Sequence, residues 1–397
     1  MQWLKEIPSH WEEKRLKYFV TIKSGDAIRN QQLSDEGEYP VYGGGQCIGY
    51  SDRYNSTAED LLIGRVGAKC GCVTFPGIKS WATDNALILS TNFNRRLLSY
   101  ILIACDLNRL NTSNAQPLIT STKVKNTGIP IPPLAEQEKI VSYLESKTSK
   151  IDAYVADKEK EIQLLQELKQ KTIAEAVTKG LNSNVKMKDS GISWIGMIPK
   201  HWEMRKLSQV SYEHFISNKT VHHQNLLSLS YGRIIRKDIN KTEGLLPASF
   251  DTYQIVEDGN IVLRLTDLQN DQKSLRVGLA KEEGIVTSAY VCLGVYNSMI
   301  PAYLYNVLHS YDIKKLFYSM GGGIRQGLNW QGLKKIDVPL PPLDEQRAIV
   351  SYIEEKCQKT DTLITELQAE IEYLKEYKQR LIADVVTGQV NVQNETI

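Results

Sequence analysis

The chain has 397 residues, more than one hydrophobic core ordinarily holds, so two or more domains are expected. Hydrophobic residues at 42% and charged residues at 24% are ordinary for a globular protein, and no apolar run approaches the ~18 residues of a membrane span. The net charge of +2 lacks the basic surplus of a chain that binds nucleic acid alone; either DNA is not the partner, or another subunit supplies the phosphate contacts.

The first stretch, "MQWLKEIPSHWEEK", places Trp, Pro and charges where a signal peptide needs an apolar run, so a cytoplasmic location is expected. Residues 1–19 form a short box that includes "WLKEIPSHWEEKRL" at 3–16. Residues 20–131 read as a mixed region. "DLLIGRVGAKCGCVTF" (60–75) and "NALILST" (85–91) have strand character, and "RRLLSYILIACDLNRL" (95–110) has helical spacing. Within it Cys70-Gly71-Cys72 is the one close cysteine pair. No second pair or histidine follows at a zinc-binding distance, and six scattered cysteines do not make a disulfide framework, so buried thiols are expected.

Residues 132–180 read as a long helix. Pro132-Pro133 block helix before it, Glu136 and Glu138 suit its first turn, and no Gly or Pro interrupts it before Gly180. Residues 181–210 hold a linker and a second box, "WIGMIPKHWEMRKL" (194–207), which matches the first at Trp3/Trp194, Ile7/Ile198, Pro8/Pro199, His10/His201, Trp11/Trp202, Glu12/Glu203 and Leu16/Leu207. A second mixed region spans residues 211–340, with strands in 259–268 and 284–296 and a helix in 301–320. Residues 341–390 repeat the long helix, from Pro341-Pro342, Asp344 and Glu345 to Gly388.

Segments 132–178 and 341–387 align without a gap, while the regions between box and helix show little likeness. The order box, divergent region, long helix therefore occurs twice. The expected fold is α/β (α+β), a pseudo-two-fold repeat with two globular regions and two long helices. On the helices, Ile140, Leu144, Ile151, Leu165 and Leu168 fall on a heptad seam, as do Ile349, Ile353, Leu363, Leu367, Leu374 and Leu381; Lys147, Lys158 and Glu161 interrupt the first. Such a rod does not bury its stripe alone. An antiparallel pair of the two copies is expected; packing of each helix on its own domain or on another protein is the alternative.

Catalytic signatures are missing: no GxxxxGK[ST], no GxSxG and no [DN]PP[YF] occurs. The histidines are His10, His201, His214, His222, His223 and His309. His222 and His223 are adjacent, so they do not present two ligands on one helix face. His10 and His201 each precede a Trp in the box and are expected to pack or cap. Two glycine clusters, "VYGGGQCIGY" (41–50) and "MGGGIRQGLNW" (320–330), permit close backbone approach to a large surface, and Arg325, Gln326 and Asn329 are side-chain types that read base edges. Turn glycines beside solvated side chains are the plainer alternative. By the aligned prolines, Arg325, Gln326 and Asn329 occupy the slots of Gln116, Pro117 and Thr120.

On these residues the whole chain resembles the specificity (S) subunits of type I restriction–modification systems. The carriers are "IPSHWE"/"IPKHWE", "PPLAEQ"/"PPLDEQ", the helix ends "AVTKG" and "VVTGQ", and "GRVGAKCGCVTF…WATDNALIL", "RLTDLQNDQKSLRVGL", "TSAYVCL" and "GGGIRQGLNW". The resemblance implies two target-recognition domains, residues 20–131 and 211–340, joined by two antiparallel coiled-coil helices. It implies a non-catalytic subunit in which each domain reads one half of a bipartite, asymmetric site in double-stranded DNA. The paired helices would set the spacer and dock two modification (methyltransferase) subunits, with two restriction subunits in the full complex. This chain would carry no cofactor or metal; its partners would use S-adenosylmethionine to methylate adenine, and ATP and Mg²⁺. A specificity subunit of another restriction class, with cleavage and methylation fused in its partner, and a coiled-coil scaffold with two protein-binding modules are the alternatives. Expected DNA contacts are Tyr42, Gly43, Gly44, Arg65, Lys69, Asn85, Asn114, Gln116, Thr120 and Lys123 in the first domain. In the second they are Arg233, Arg264, Thr266, Gln269, Lys273, Arg276, Ser288, Tyr290, Arg325, Gln326 and Asn329. Asp267 would repel phosphate, and Asn85 is also suited to capping a turn.

Overall fold

The computed structural model describes residues 3–4, 6–111, 117–221, 223–238, 249–268, 275–320 and 327–394. Two compact units emerge, residues 1–160 with 367–397, and residues 161–366. The division falls inside both long helices, Leu134–Lys179 and Leu343–Val386.

Each unit has the same frame. In the first, a ladder pairs Glu12–Arg15 with Gly128–Ile131, bringing the two ends of the globular region side by side. In the second, Glu203–Lys206 pairs with Asp337–Leu340 in the same way. Between these joints lies a four-stranded antiparallel sheet. Its order in the first unit is Val20–Ser24, Ala86–Thr91, Leu61–Gly64, Val73–Thr74. In the second it is Ser211–Glu213, Val291–Val295, Ile261–Leu263, Val277–Leu279. One helix packs behind each sheet, Arg95–Ala104 or Pro301–Ile313, and the chain then turns through a left-handed Asp106 or Lys315 into a 3₁₀ turn. The divergence is elsewhere. A three-stranded sheet is mixed in the first unit and wholly antiparallel in the second, and the second adds the hairpin Leu227–Ser230 with Arg233–Arg236.

The box holds the start of each long helix. His10 Nε2 and Trp11 Nε1 reach the two carboxylate oxygens of Glu136 at 2.9 and 3.1 Å. His201 and Trp202 reach Glu345 at 2.6 and 2.8 Å. The next residue, Gln137 or Gln346, is buried and donates to the carbonyl of Pro132 or Pro341, 2.9 Å in both cases. The recurring "PP-L-x-E-Q" is thus a docking device: Glu takes the box, and Gln ties the first turn to the prolines. The helix ends are fixed by the same boxes. Gly180 and Gly388 have φ of +72° and +74°, the left-handed stop that favours glycine. A Cβ on Gly388 would lie 2.4 Å from Pro8, and one on Gly180 would lie 3.1 Å from the Trp202 ring.

Within each unit the long helices pack antiparallel. In the first, Ile140, Val141 and Leu144 share a core with Leu381, Ile382 and Val385, and Lys378 Nζ lies 2.6 Å from Asp152. In the second, Ile173, Ala176 and Val177 join Ile349 and Ile353, and Lys169 Nζ lies 2.6 Å from Asp361. The two ion pairs are repeat-equivalents, Lys169 matching Lys378 and Asp152 matching Asp361. The heptad seam differs from the sequence expectation. Leu168 is 56% exposed and Leu363 is 39% exposed, so neither belongs to it. The covered positions are Lys169 and Ile364, each one residue on and so about 100° round the helix. Lys158, expected to interrupt the seam, sits at a partly covered position and reaches Glu370 at 3.8 Å, which Tyr154 also contacts. Ile140, Leu144, Ile349, Ile353, Leu367 and Leu381 are buried, and Ile151, Leu165 and Leu374 half-buried.

A buried histidine gives the second unit a pH dependence. His309 stacks on Tyr305, and burial, reinforced by the Lys169 charge, pushes its imidazole down to about 4. The ordinary value is near 6.5, so protonation favours the unfolded chain. Stability is therefore whole above pH 6.5 and falls as the pH drops toward 4. Melting curves across this window will show the decline, and His309→Phe, which keeps a ring against Tyr305, will show a shallower one.

Candidate nucleic-acid interface

In each unit the turns at one end of the four-stranded sheet enclose a cleft. In the first, Leu61–Gly64 runs into the Arg65–Lys69 turn, and the glycine turn at 43–45 packs against it; a Cβ on Gly64 would lie 2.6 Å from the Gly44 carbonyl oxygen. The Arg65 N–H donates to the Asn85 carbonyl and the Thr83 N–H to the Tyr42 carbonyl, both at 2.9 Å. These bonds gather Tyr42, Gly43, Gly44, Arg65 and Asn85 at one place, with exposed Lys69 in the adjoining turn. The cleft, about 340 Å³, is lined by Asn30, Gly43, Gly44, Thr83, Asp84 and Asn85 among others.

The second unit builds the same place with other side chains. Thr287 occupies the slot of Thr83; each hydroxyl accepts the N–H two residues on, which holds the turn and leaves Asp84 and Asn85, or Ser288 and Ala289, exposed. Buried Gln254 donates to the carbonyls of Thr287 and Tyr290 at 3.2 and 2.7 Å, pinning that turn. Leu265 replaces Arg65: the Leu328 N–H donates to its carbonyl as the Ile119 N–H does to that of Arg65. This cleft, about 540 Å³, is lined by Glu213, His214, Gln254, Thr266, Ser288, Tyr290 and Asn329 among others.

The expected contacts separate under this geometry. Gly43, Gly44 and Asn85 line one cleft, and Thr266, Ser288, Tyr290 and Asn329 the other; Arg65 joins the first only through its backbone, its guanidinium donating to the Ser24 hydroxyl at 3.3 Å. Tyr42 packs on Leu62, Ala82 and Ile88, and burial raises its phenol above the ordinary range. Thr120 and Asn329 are helix N-caps, accepting the N–H of Lys123 and Gly332 at 3.4 and 3.2 Å, so their oxygens are committed to backbone. Asn85 is exposed, and the Thr83 hydroxyl accepts its N–H and holds its turn.

Three residues stand apart. Lys123 Nζ donates to the Leu110 carbonyl and lines a different cleft with Trp3 and Arg109. Arg233, on the added hairpin, lies 3.9 Å from Asp361 of the C-terminal helix. Arg276 is 0% exposed and touches no outer surface. Its guanidinium donates to the carbonyls of Arg264, Thr266 and Asp267 and to the Tyr318 hydroxyl, so it anchors the 264–268 loop from behind. A surface cation and a buried loop anchor look alike in sequence. Half-buried Arg264 passes its carbonyl to this anchor. Asn114, Gln116, Gln269, Lys273, Arg325 and Gln326, like His222, lie outside the described residues.

Among the described residues no cluster of three or more His, Cys, Asp or Glu has metal-holding geometry. Cys70 is buried, with its Sγ on the Arg65 carbonyl, while Cys72 is exposed. No described helix is long and apolar enough to cross a membrane.

The family model described as the type I restriction modification DNA specificity domain matches residues 8–164 and again 199–373. The chain belongs to this family. The EcoBI type I restriction enzyme specificity subunit of Escherichia coli is 24% identical to it, covering 98% of this chain and 88% of that protein. The MjaVIII specificity subunit of Methanocaldococcus jannaschii is 26% identical over 70% of this chain and 65% of its own length. A chain from a solved structure on complex assembly and conformational transition of the type I R-M system has the same fold, with a TM-score of 0.68 at 15% identity, covering 97% of this chain and all of that one. This type I specificity subunit thus carries two specificity domains, one per match, and is the non-catalytic member of its system. The family description makes DNA the object of that specificity.

Proposed function

We propose that each cleft reads one half of a bipartite, asymmetric site in double-stranded DNA. The observation that carries this is the pairing of a common frame with unlike linings: the equivalent turns present Asp84 and Asn85 in one unit and Ser288 and Ala289 in the other, with Asn30 beside the first and Tyr290 and Asn329 beside the second. Hydrogen-bonding groups of different kinds in one structural slot suit two readers of two sequences. Neither cleft is strongly basic, in keeping with the net charge of +2, and phosphate contacts fall to two modification subunits docked on the boxes and long helices. Those subunits use S-adenosylmethionine to methylate adenine, two restriction subunits use ATP and Mg²⁺ to cut, and the paired helices fix the spacer.

The test is a map of methylated adenines across the host genome with and without this gene. One motif, two short half-sites at a fixed gap, is expected to vanish on deletion. An unchanged map in a host whose modification subunits are expressed overturns the proposal.

A further inference from the structure

The second cleft carries an apolar side chain at its mouth. Phe215 follows the strand Ser211–Glu213 and lines the cleft, yet it is 62% exposed. Buried Leu265 belongs to the same lining, beside the hydrogen-bonding groups of Thr266, Ser288, Tyr290 and Asn329.

The first unit holds a polar pair at these two positions. Leu61 and Ile261 face Leu89 and Leu293, which in turn face Ile22 and Glu213. Two residues on from these are Ser24 and Phe215, and Arg65 is the equivalent of Leu265. The Arg65 guanidinium donates to the Ser24 hydroxyl at 3.3 Å. The second unit thus replaces a hydrogen-bonded pair by two apolar side chains, one of which faces water. A lone exposed aromatic calls for no explanation. A paired exchange in the wall of a cleft changes the chemistry of what that cleft binds.

We infer that Phe215 is a specificity-determining residue: its ring packs on the C5 methyl group of one thymine in the half-site of the second unit. This rests on the assignment of the clefts as DNA readers. Base edges in the major groove present donors and acceptors, and the apolar group among them is the thymine methyl, a known partner of phenylalanine. Packing the methyl group on the ring withdraws apolar surface of both from water. The first unit offers a hydroxyl and a guanidinium at the same place and selects a polar edge there.

The experiment uses the complete modification complex and duplexes carrying its bipartite motif. Each thymine of the half-sites is replaced in turn by deoxyuridine, which removes the methyl group and keeps the pairing edge. Methylation kcat/KM is measured for wild type, Phe215→Ala and Phe215→Gln, with a melting curve of each complex. Wild type is expected to lose about fourfold at one thymine of one half-site, the scale of one buried methyl group. Phe215→Ala and Phe215→Gln are slower on the unmodified duplex and lose nothing further at that uracil. Wild-type rates at every uracil overturn the inference, whether or not the variants are slower. The same uracil loss in wild type and in the variants overturns it too, since another group then reads the methyl. If Phe215→Ala does not fold, Phe215→Gln decides alone. A genome map with no bipartite motif overturns the DNA-reading assignment itself, and the thymine contact falls with it.

Discussion

One heptad inserted after Lys160 and one after the equivalent Ala369 will lengthen the spacer of the methylated motif and leave both half-sites unchanged. The insertion adds two helical turns, about 10 Å at 1.5 Å per residue. DNA rises about 3.4 Å per base pair along each strand, so the gap should grow by about three base pairs. A heptad keeps the seam in phase, because covered positions recur every seven residues in both helices. It also leaves the Lys378–Asp152 and Lys169–Asp361 pairs with their own partners, since both lie outside the insertion. Methylation at the original spacing should disappear. The genome-wide methylation map reads both outcomes: altered half-sites would show that the helices do not act as the ruler. An insertion in one helix alone should abolish methylation, since the seam then loses its match.

Arg276→Ala will unfold or loosen the second unit. Three loop carbonyls and the Tyr318 hydroxyl lose a charged donor, and a cavity opens where the guanidinium lay. Leaving a buried donor or acceptor without its partner typically costs about 1–3 kcal/mol. Calorimetry should show an earlier transition, with the first unit melting as before. Arg276→Lys should recover little, because an ammonium does not span the carbonyls of residues 264, 266 and 267 as the planar fork does. Melting unchanged from wild type in Arg276→Ala would mean that water replaces the guanidinium and that the loop has another anchor.

The repeat was legible because each of its parts obeys a local rule. Proline blocks the helix start, the heptad pattern gives the rod, glycine ends it, and the boxes recur in register. Where side chains act against type, sequence was a poorer guide. Lys158, Lys169 and Lys378 occupy seam positions, their aliphatic stems lying along the partner helix while the charges reach carboxylates. A seam traced through leucines alone therefore slips by one residue, to Leu168 and Leu363. Arg276 reads as a surface cation, and only its tertiary partners show otherwise. Thr120 and Asn329 read as free polar groups, though each begins a short helix.

The paired joints at Glu12–Arg15 with Gly128–Ile131, and at Glu203–Lys206 with Asp337–Leu340, have an evolutionary consequence. In each unit the chain enters and leaves the variable region through neighbouring strands, one strand spacing or about 5 Å apart. Whatever is threaded between those strands meets the helices through the same two hydrogen-bonded rails. A recombination that cuts at both rails exchanges a complete cassette, with its cleft and its loop anchors, and leaves the Glu136 or Glu345 clasp intact. One variable region can then be traded at a time without rebuilding the clasps or the long helices.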